Sequence, residues 1–229
     1  KEGLGPDTTN GEGSSGRAFN LKVNRLHQFS NITVEDFPLG GNTGKIELSS
    51  SDDLILEECK FYRNQCHTKN GGGAGLWIQN NAGTFNCIYL NCIFEGNRKP
   101  PGRESGALMC GGNIRLINTN VQFINCTFKN NNAENAGGLS INTAGECLID
   151  GCQFIENSCN TRGGALRIGE VEGGGNSASL AIICNCIFSG NRASDNVNTN
   201  FGSNIFINTN EKSRIDIDGT NKFTNQGER

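Results

Sequence analysis

The sequence predicts an all-β chain folded as a single-domain right-handed parallel β-helix, a solenoid of about six to eight rungs with no substantial helix. Three observations predict it. The phrase Cys-x-Phe-x-x-Asn occurs five times, at Cys59-Phe61-Asn64, Cys92-Phe94-Asn97, Cys126-Phe128-Asn131, Cys152-Phe154-Asn157 and Cys186-Phe188-Asn191. Successive cysteines lie 33, 34, 26 and 34 residues apart, and a degenerate copy centres on Phe223. Each phrase is followed by a Gly-small-Leu-x-Ile signal: Gly75-Leu76-Trp77-Ile78, Gly106-Ala107-Leu108, Gly137-Gly138-Leu139-Ser140-Ile141, Gly164-Ala165-Leu166-Arg167-Ile168 and the weaker Gly202-Ser203. Apolar residues arrive in short bursts (85–90, 121–124, 180–183, 215–217), too short for helices and suited to strands.

One unit is then a strand, an Asn or Gly corner, a short Cys-x-Phe strand, an Asn turn, a variable loop and the Gly-small-Leu-x-Ile strand. Stacked units pair at about 4.8 Å and place equivalent side chains over one another. Cys and Phe, two apart, face the same way. Cys59, Cys92, Cys126, Cys152 and Cys186 are therefore expected to form a core ladder, and Phe61, Phe94, Phe128, Phe154 and Phe188 an aromatic one. Asn64, Asn97, Asn131, Asn157 and Asn191 are expected to take left-handed backbone angles at the turn and to bond amide to amide between rungs. Residues 54–229 hold the repeats, 21–53 capping or first strands with a turn at 40–44, and 1–20 a polar arm ordered only if something holds it.

A Phe-x-x-Asn signal alternating with strands such as Gly164-Ala165-Leu166 resembles the repeats of the polymorphic outer membrane proteins, surface proteins of chlamydiae. The resemblance covers residues 54–225 and implies a surface-exposed, adhesive or structural β-helix.

A net charge of −3 and a pI near 5.5 give no electrostatic case for nucleic acid or an anionic membrane. No apolar run reaches the roughly 20 residues that span a bilayer. Eleven cysteines and the sequons at Asn31 and Asn125, both candidate glycosylation sites, point to an extracellular or cell-surface location, and the start at Lys1 to a processed chain. Repeated offsets allow within-rung disulfides: Cys59 with Cys66, Cys87 with Cys92, and Cys152 with either Cys147 or Cys159. Cys110 and Cys184 have no evident partner. Buried unpaired ladders are the other reading of the same cysteines.

No cofactor, metal or catalytic constellation emerges. Two histidines, His27 and His67, and no closed ligand spacing argue against zinc. Cys66 and His67 are adjacent and would face opposite ways on a strand. The run Gly41-Asn42-Thr43-Gly44-Lys45 fails the phosphate-loop pattern. Asn118-Thr119-Asn120 and Asn208-Thr209-Asn210 carry amides where a polysaccharide hydrolase would carry an acid, Asp150 is isolated, and Asp216 and Asp218 sit in the last rung. What remains is the surface and the ends. Open ends expose unpaired strands, so the expected function is an extracellular structural subunit self-associating head to tail into a filament or surface layer. The alternatives are a monomeric adhesin or carbohydrate-binding β-helix and, further off, a polysaccharide lyase or hydrolase. The loops at 65–72, 98–105, 132–136, 158–162 and 192–201 share one edge. With Arg63, Lys69, Arg98, Lys99, Arg103, Arg162 and Arg192 that edge is expected to be locally basic. Trp77, expected to point outward, joins Arg98, Lys99 and Arg103 as candidate surface contacts for a glycan.

Overall fold

The computed structural model describes residues 19–23, 27–36, 44–48, 53–65, 75–80, 85–98, 108–110, 119–134, 136–141, 145–169, 180–194, 204–207 and 214–224. The described chain is all β, with no helix among these residues. Three parallel sheets of seven strands each account for nearly all of it. The first contains Phe19–Val23, Gly44–Leu48, Leu76–Asn80, Leu108–Cys110, Leu139–Ile141, Leu166–Ile168 and Ile205–Ile207. The second contains His27–Ser30, Leu54–Glu57, Phe85–Leu90, Thr119–Ile124, Glu146–Asp150, Leu180–Cys184 and Arg214–Ile217. The third contains Thr33–Glu35, Lys60–Tyr62, Ile93–Glu95, Thr127–Lys129, Gln153–Ile155, Ile187–Ser189 and Lys222–Thr224. A smaller sheet joins Asn132–Ala133, Ser158–Cys159 and Arg192–Ala193.

The chain visits the three large sheets in the same order in every repeat, and each strand pairs in parallel with its counterpart one repeat away. Registers are unbroken: Phe61 faces Phe94, Phe94 faces Phe128, Phe128 faces Phe154, Phe154 faces Phe188, and Phe188 faces Phe223. The repeat also begins earlier than the cysteine phrase does. Residues 19–35 supply one strand to each sheet, with Ile32 and Val34 standing where later repeats have Cys and Phe.

Parallel sheets covered on both faces carry continuous apolar runs. The second sheet instead alternates: Leu54, Leu56, Cys87, Tyr89, Val121, Phe123, Cys147, Ile149, Ala181 and Ile183 are buried, and the residues between them are half-buried. One face meets the core and the other meets solvent. The buried residues form one connected cluster from Val34 to Phe188. In the first sheet Ser140 and Arg167, on the face opposite the core, are buried as well. The x position of Leu-x-Ile is thus covered in these two repeats and not open, as the outward reading of Trp77 would have it. The side chain of Trp77 itself, like residues 1–18 of the arm at 1–20, residues 40–43 of the turn at 40–44, Cys66, His67, Lys69, Lys99, Arg103, Asn118 and Asn208, lies outside the described residues; Phe19, Asn20 and Gly44 stand in strands.

Two single-residue corners flank each of the first six third-sheet strands. The first is left-handed at Asn31, Glu58, Asn91, Asn125, Gly151 and Asn185, the second at Asp36, Arg63, Gly96, Asn130, Glu156 and Gly190. This corrects the turn assignment: the left-handed residue is the one before the repeated Asn, and Asn64, Asn97, Asn131, Asn157 and Asn191 point inward. The reason is that an amide cannot both serve the buried ladder and occupy a solvent corner. A left-handed residue with a Cβ costs about 1–2 kcal/mol. Glu156 (φ 53°) therefore stands at a strained position that Gly96 and Gly190 occupy without strain. Glu156→Gly is expected to stabilise the chain by roughly 0.5–1 kcal/mol, after the entropy that glycine adds to the unfolded state. A urea midpoint shifted downward would contradict this.

Candidate functional site

The repeated phrase places its three residue types in three columns that run across the repeats. Phe61, Phe94, Phe128, Phe154, Phe188 and Phe223 stack with ring centroids 4.9, 5.2, 4.9, 4.9 and 5.0 Å apart and planes within 10° of parallel. A shorter stack, Tyr89 on Phe123 at 4.4 Å, fills the second-sheet side of the core.

The asparagines form a saturated amide ladder. Asn97 Nδ2 donates to Phe61 O at 2.9 Å and to Asn131 Oδ1 at 3.1 Å, and Asn97 N donates to the same Oδ1 at 2.9 Å. Asn64, Asn131 and Asn157 donate in the same pattern, and Asn97, Asn131 and Asn157 both give and accept along the column. The column ends on Asn204 Oδ1, 3.1 Å from Asn191 Nδ2, a residue outside the phrase that no spacing marked. A second, shorter ladder was also missed: Asn86 Nδ2 donates to Asp53 Oδ1 at 2.7 Å and Asn120 Nδ2 to Asn86 Oδ1 at 3.1 Å.

The cysteines form the third column. Each sulfur faces the carbonyl two residues before it and a carbonyl one repeat away. Cys92 faces Leu90 O and Leu56 O at 3.4 Å each, Cys126 faces Ile124 O and Tyr89 O at 3.5 Å, and Cys152 faces Asp150 O and Phe123 O at 3.5 and 3.4 Å. Cys59 and Cys186 are placed the same way. The thiols also interact along the column. The hydrogen bond from Cys152 draws Cys126 below the usual thiol range, and Cys152 draws Cys186 down likewise. Cys92, bonded to Cys126, is pushed up to about 12, and burial pushes Cys152 well up. Cys59 is raised by its bond to Cys92.

The within-repeat disulfides are corrected by this geometry: no disulfide forms among the described cysteines. Cys87 and Cys147 sit on the second sheet in a separate column with Leu54, Val121, Ala181 and Ile215. Cys92 and Cys152 direct their sulfurs at carbonyls instead. Cys159 is buried in the small sheet between Ala133 and Ala193, where burial pushes its thiol up to about 11. Cys59 likewise serves the column.

The third-sheet edge carries a groove of about 600 Å³ lined by Arg63, Glu95, Gly96, Arg98, Asn130, Asn132, Glu156 and Ser158, contributed by four successive repeats. Of the cations expected to make this edge basic, Lys69, Lys99 and Arg103 lie outside the described residues, and Arg63 is offset by acids. Arg63 pairs with Asp36 at 2.6 Å and Glu35 at 3.4 Å, and Lys129 pairs with Glu95 at 3.3 Å. The cations arrive with acids because columns of like charge would repel at strand spacing. Arg162 instead lies over the ring of Phe206 at 5.3 Å. Asn31 and Asn125, the two sequon residues, are exposed at left-handed corners.

The acids weighed for polysaccharide cleavage have structural work. Asp150 Oδ1 accepts from Asn185 Nδ2 at 2.8 Å, Asp218 Oδ1 caps the turn at Thr220 N at 2.8 Å, and Asp216 lies 3.7 Å from Arg214. Asn120 belongs to the short amide ladder. Among the described residues no three His, Cys, Asp or Glu side chains converge as a metal site. The chain matches no family model, no curated protein and no solved structure.

Proposed function

We propose that the three sheets close around their shared core as a single-domain right-handed parallel β-helix, and that this chain is an extracellular structural subunit which associates end to end. The observation that carries the reading is the last repeat. Phe223 is 51% exposed and Ile217 45%, although both continue columns that are fully buried one repeat earlier. Among the described residues the strands Arg214–Ile217 and Lys222–Thr224 pair on one side only, which leaves an edge that can template another strand. The first repeat offers the matching surface. In the register kept throughout the sheets, Phe223 of one copy meets Val34 of the next, and Ile217 meets Phe29. Lys222 then lies diagonally across from Glu35, an opposite-charge pair. The likeness to chlamydial surface repeats implies the same structural or adhesive class.

The test is sedimentation velocity and negative-stain microscopy across a concentration series. Rods that lengthen with concentration are expected, and Phe223→Lys should return them to monomers without lowering the unfolding midpoint appreciably. A wild-type chain that stays a monodisperse monomer at high concentration overturns the proposal. The polar groove favours a second reading, a monomeric glycan-binding adhesin, which a monomer retained on immobilised oligosaccharides would support.

A further inference from the structure

The second sheet turns an apolar face away from the core. Its outward positions hold Ile55, Ile88, Leu90, Ile124, Leu148 and Ile182, all half-buried and adjoining one another across the strands. The outward positions of the third sheet instead include Glu35, Lys60, Glu95, Lys129 and Lys222, the composition of a solvated face. In the first sheet the outward Ser140 and Arg167 are already covered. A contiguous aliphatic field on one face of a repeat array marks a contact surface.

The order of residues on that face points to its occupant. One outward column is symmetric in polarity about the fourth of the seven strands. Gln122 stands at its centre, Ile88 and Ile55 lie on one side, Leu148 and Ile182 on the other, and Gln28 and Asp216 end it. A second copy, turned end for end about an axis along the central strand, sets Ile88 against Leu148, Ile55 against Ile182 and the Asp216 carboxylate against the Gln28 amide. Such self-complementarity is what a two-fold contact requires. Gln122 makes no side-chain hydrogen bond among the described residues. On the axis it meets its own copy, and two primary amides can each give and accept. In the flanking columns Ile124 also meets its own copy, and Glu146 faces the Asn86 amide. Leu90 faces Asp150, the poorest match, although Asp150 keeps its bond from Asn185 Nδ2. A parallel pairing would instead set Asp216 against Asp216, like charge on like.

Seven strands about 4.8 Å apart and three outward positions about 6.7 Å apart make a face of roughly 400 Å² per copy. Two such faces together fall at the small end of specific interfaces, which means a weak, concentration-dependent dimer. We infer that the chain pairs with a second copy of itself through the outward faces of the second sheets, the two repeat arrays running antiparallel with Gln122 on the two-fold axis. This contact goes beyond the end-to-end association, because it uses a sheet face and not the strand edges.

The test is sedimentation velocity over a concentration series on Phe223→Lys, the variant that blocks the end-to-end contact, or on wild type if wild type forms no rods. A reversible dimer is expected. Ile88→Lys and Leu148→Glu should each weaken it roughly tenfold or more, since each presses a charge on an aliphatic side chain. Combined in one chain, the two substitutions oppose their new charges twice across the axis and should recover most of the pairing. An equimolar mixture of the two single variants should recover it too, and decides the matter if the combined variant fails to fold. A monomer at every concentration overturns the proposal, as do single variants that pair like the parent. Recovery in neither the combined variant nor the mixture overturns it as well; that is the result expected of a parallel pairing, or of a face covered by residues 1–18.

Discussion

Replacing Asn131 with alanine is expected to cost about 4–6 kcal/mol, measured as the loss in unfolding free energy in urea. The amide sits mid-column with four partners. Its Oδ1 accepts from Asn97 N and Asn97 Nδ2, at 2.9 and 3.1 Å, and its Nδ2 donates to Phe94 O and Asn157 Oδ1, at 2.8 and 3.0 Å. Truncation takes the partner from two N–H groups of Asn97 and from Phe94 O, each worth about 1–3 kcal/mol before the structure relaxes, while Asn157 Oδ1 keeps the backbone N–H of residue 131 at 3.1 Å. Asn131→Asp separates hydrogen bonding from volume. The carboxylate still accepts from Asn97 but turns an oxygen toward two acceptors, so the folded state favours the protonated acid and its pKa rises above the unfolded value near 3.9. The penalty is then absent below that pH and grows as pH rises through the folded pKa. The Asp variant should be closer to wild type at pH 4 than at pH 7. A cost near zero for both variants would mean the ladder decorates the fold without holding it.

The parts of the molecule that were legible in the sequence are those governed by period. Cys and Phe at i and i+2 must share a face, and a period near 34 must bring copies together, so the columns followed from spacing alone. The corners did not. Their left-handed residues are Arg63, Gly96, Asn130, Glu156 and Gly190, chemically unlike one another, whereas the conspicuous Asn beside each is buried for its amide. The first repeat was hidden for a related reason: Ile32 and Val34 meet the packing requirement of the Cys and Phe positions without repeating their letters. Disulfides misled because sequence offset carries no information about sheet. Cys87 and Cys92 are five residues apart but straddle the corner at Asn91, the first within a second-sheet strand and the other just before the third-sheet strand Ile93–Glu95. The ion pairs beside the groove were not legible because a sequence shows cations but not their cross-strand partners. Glu95 and Lys129 are 34 residues apart in sequence and face each other in register.

The same columns decide how damage spreads. In an array each repeat touches only its neighbours, so stability is a sum of repeat terms and interface terms, and cooperativity depends on the interfaces. An outer repeat can be lost at little cost to the rest. An inner one cannot, because both of its interfaces go with it.

Phe128→Ala at the centre of the aromatic column is expected to cost about 4–5 kcal/mol. Phe128 is fully buried and stacks on Phe94 at 5.2 Å and Phe154 at 4.9 Å, with the edge of Phe123 at 6.0 Å. The backbone on either side is tied to its neighbours by parallel pairing, so the gap cannot collapse without breaking register, and the cavity term stays close to its full value. Phe223→Ala removes a half-exposed ring with one stacking partner and should cost about 1 kcal/mol or less. The contrast between two identical residues in one column isolates position from chemistry. Phe128→Ala should also split the unfolding transition, because the repeats before and after it share their weakest interface there. Urea unfolding followed by hydrogen exchange should show Phe29 to Phe94 and Phe154 to Phe223 protected with different midpoints in the variant and a common one in wild type. A single transition with unchanged slope in the variant would show that the strand ladders, not the aromatic stack, carry the coupling between repeats.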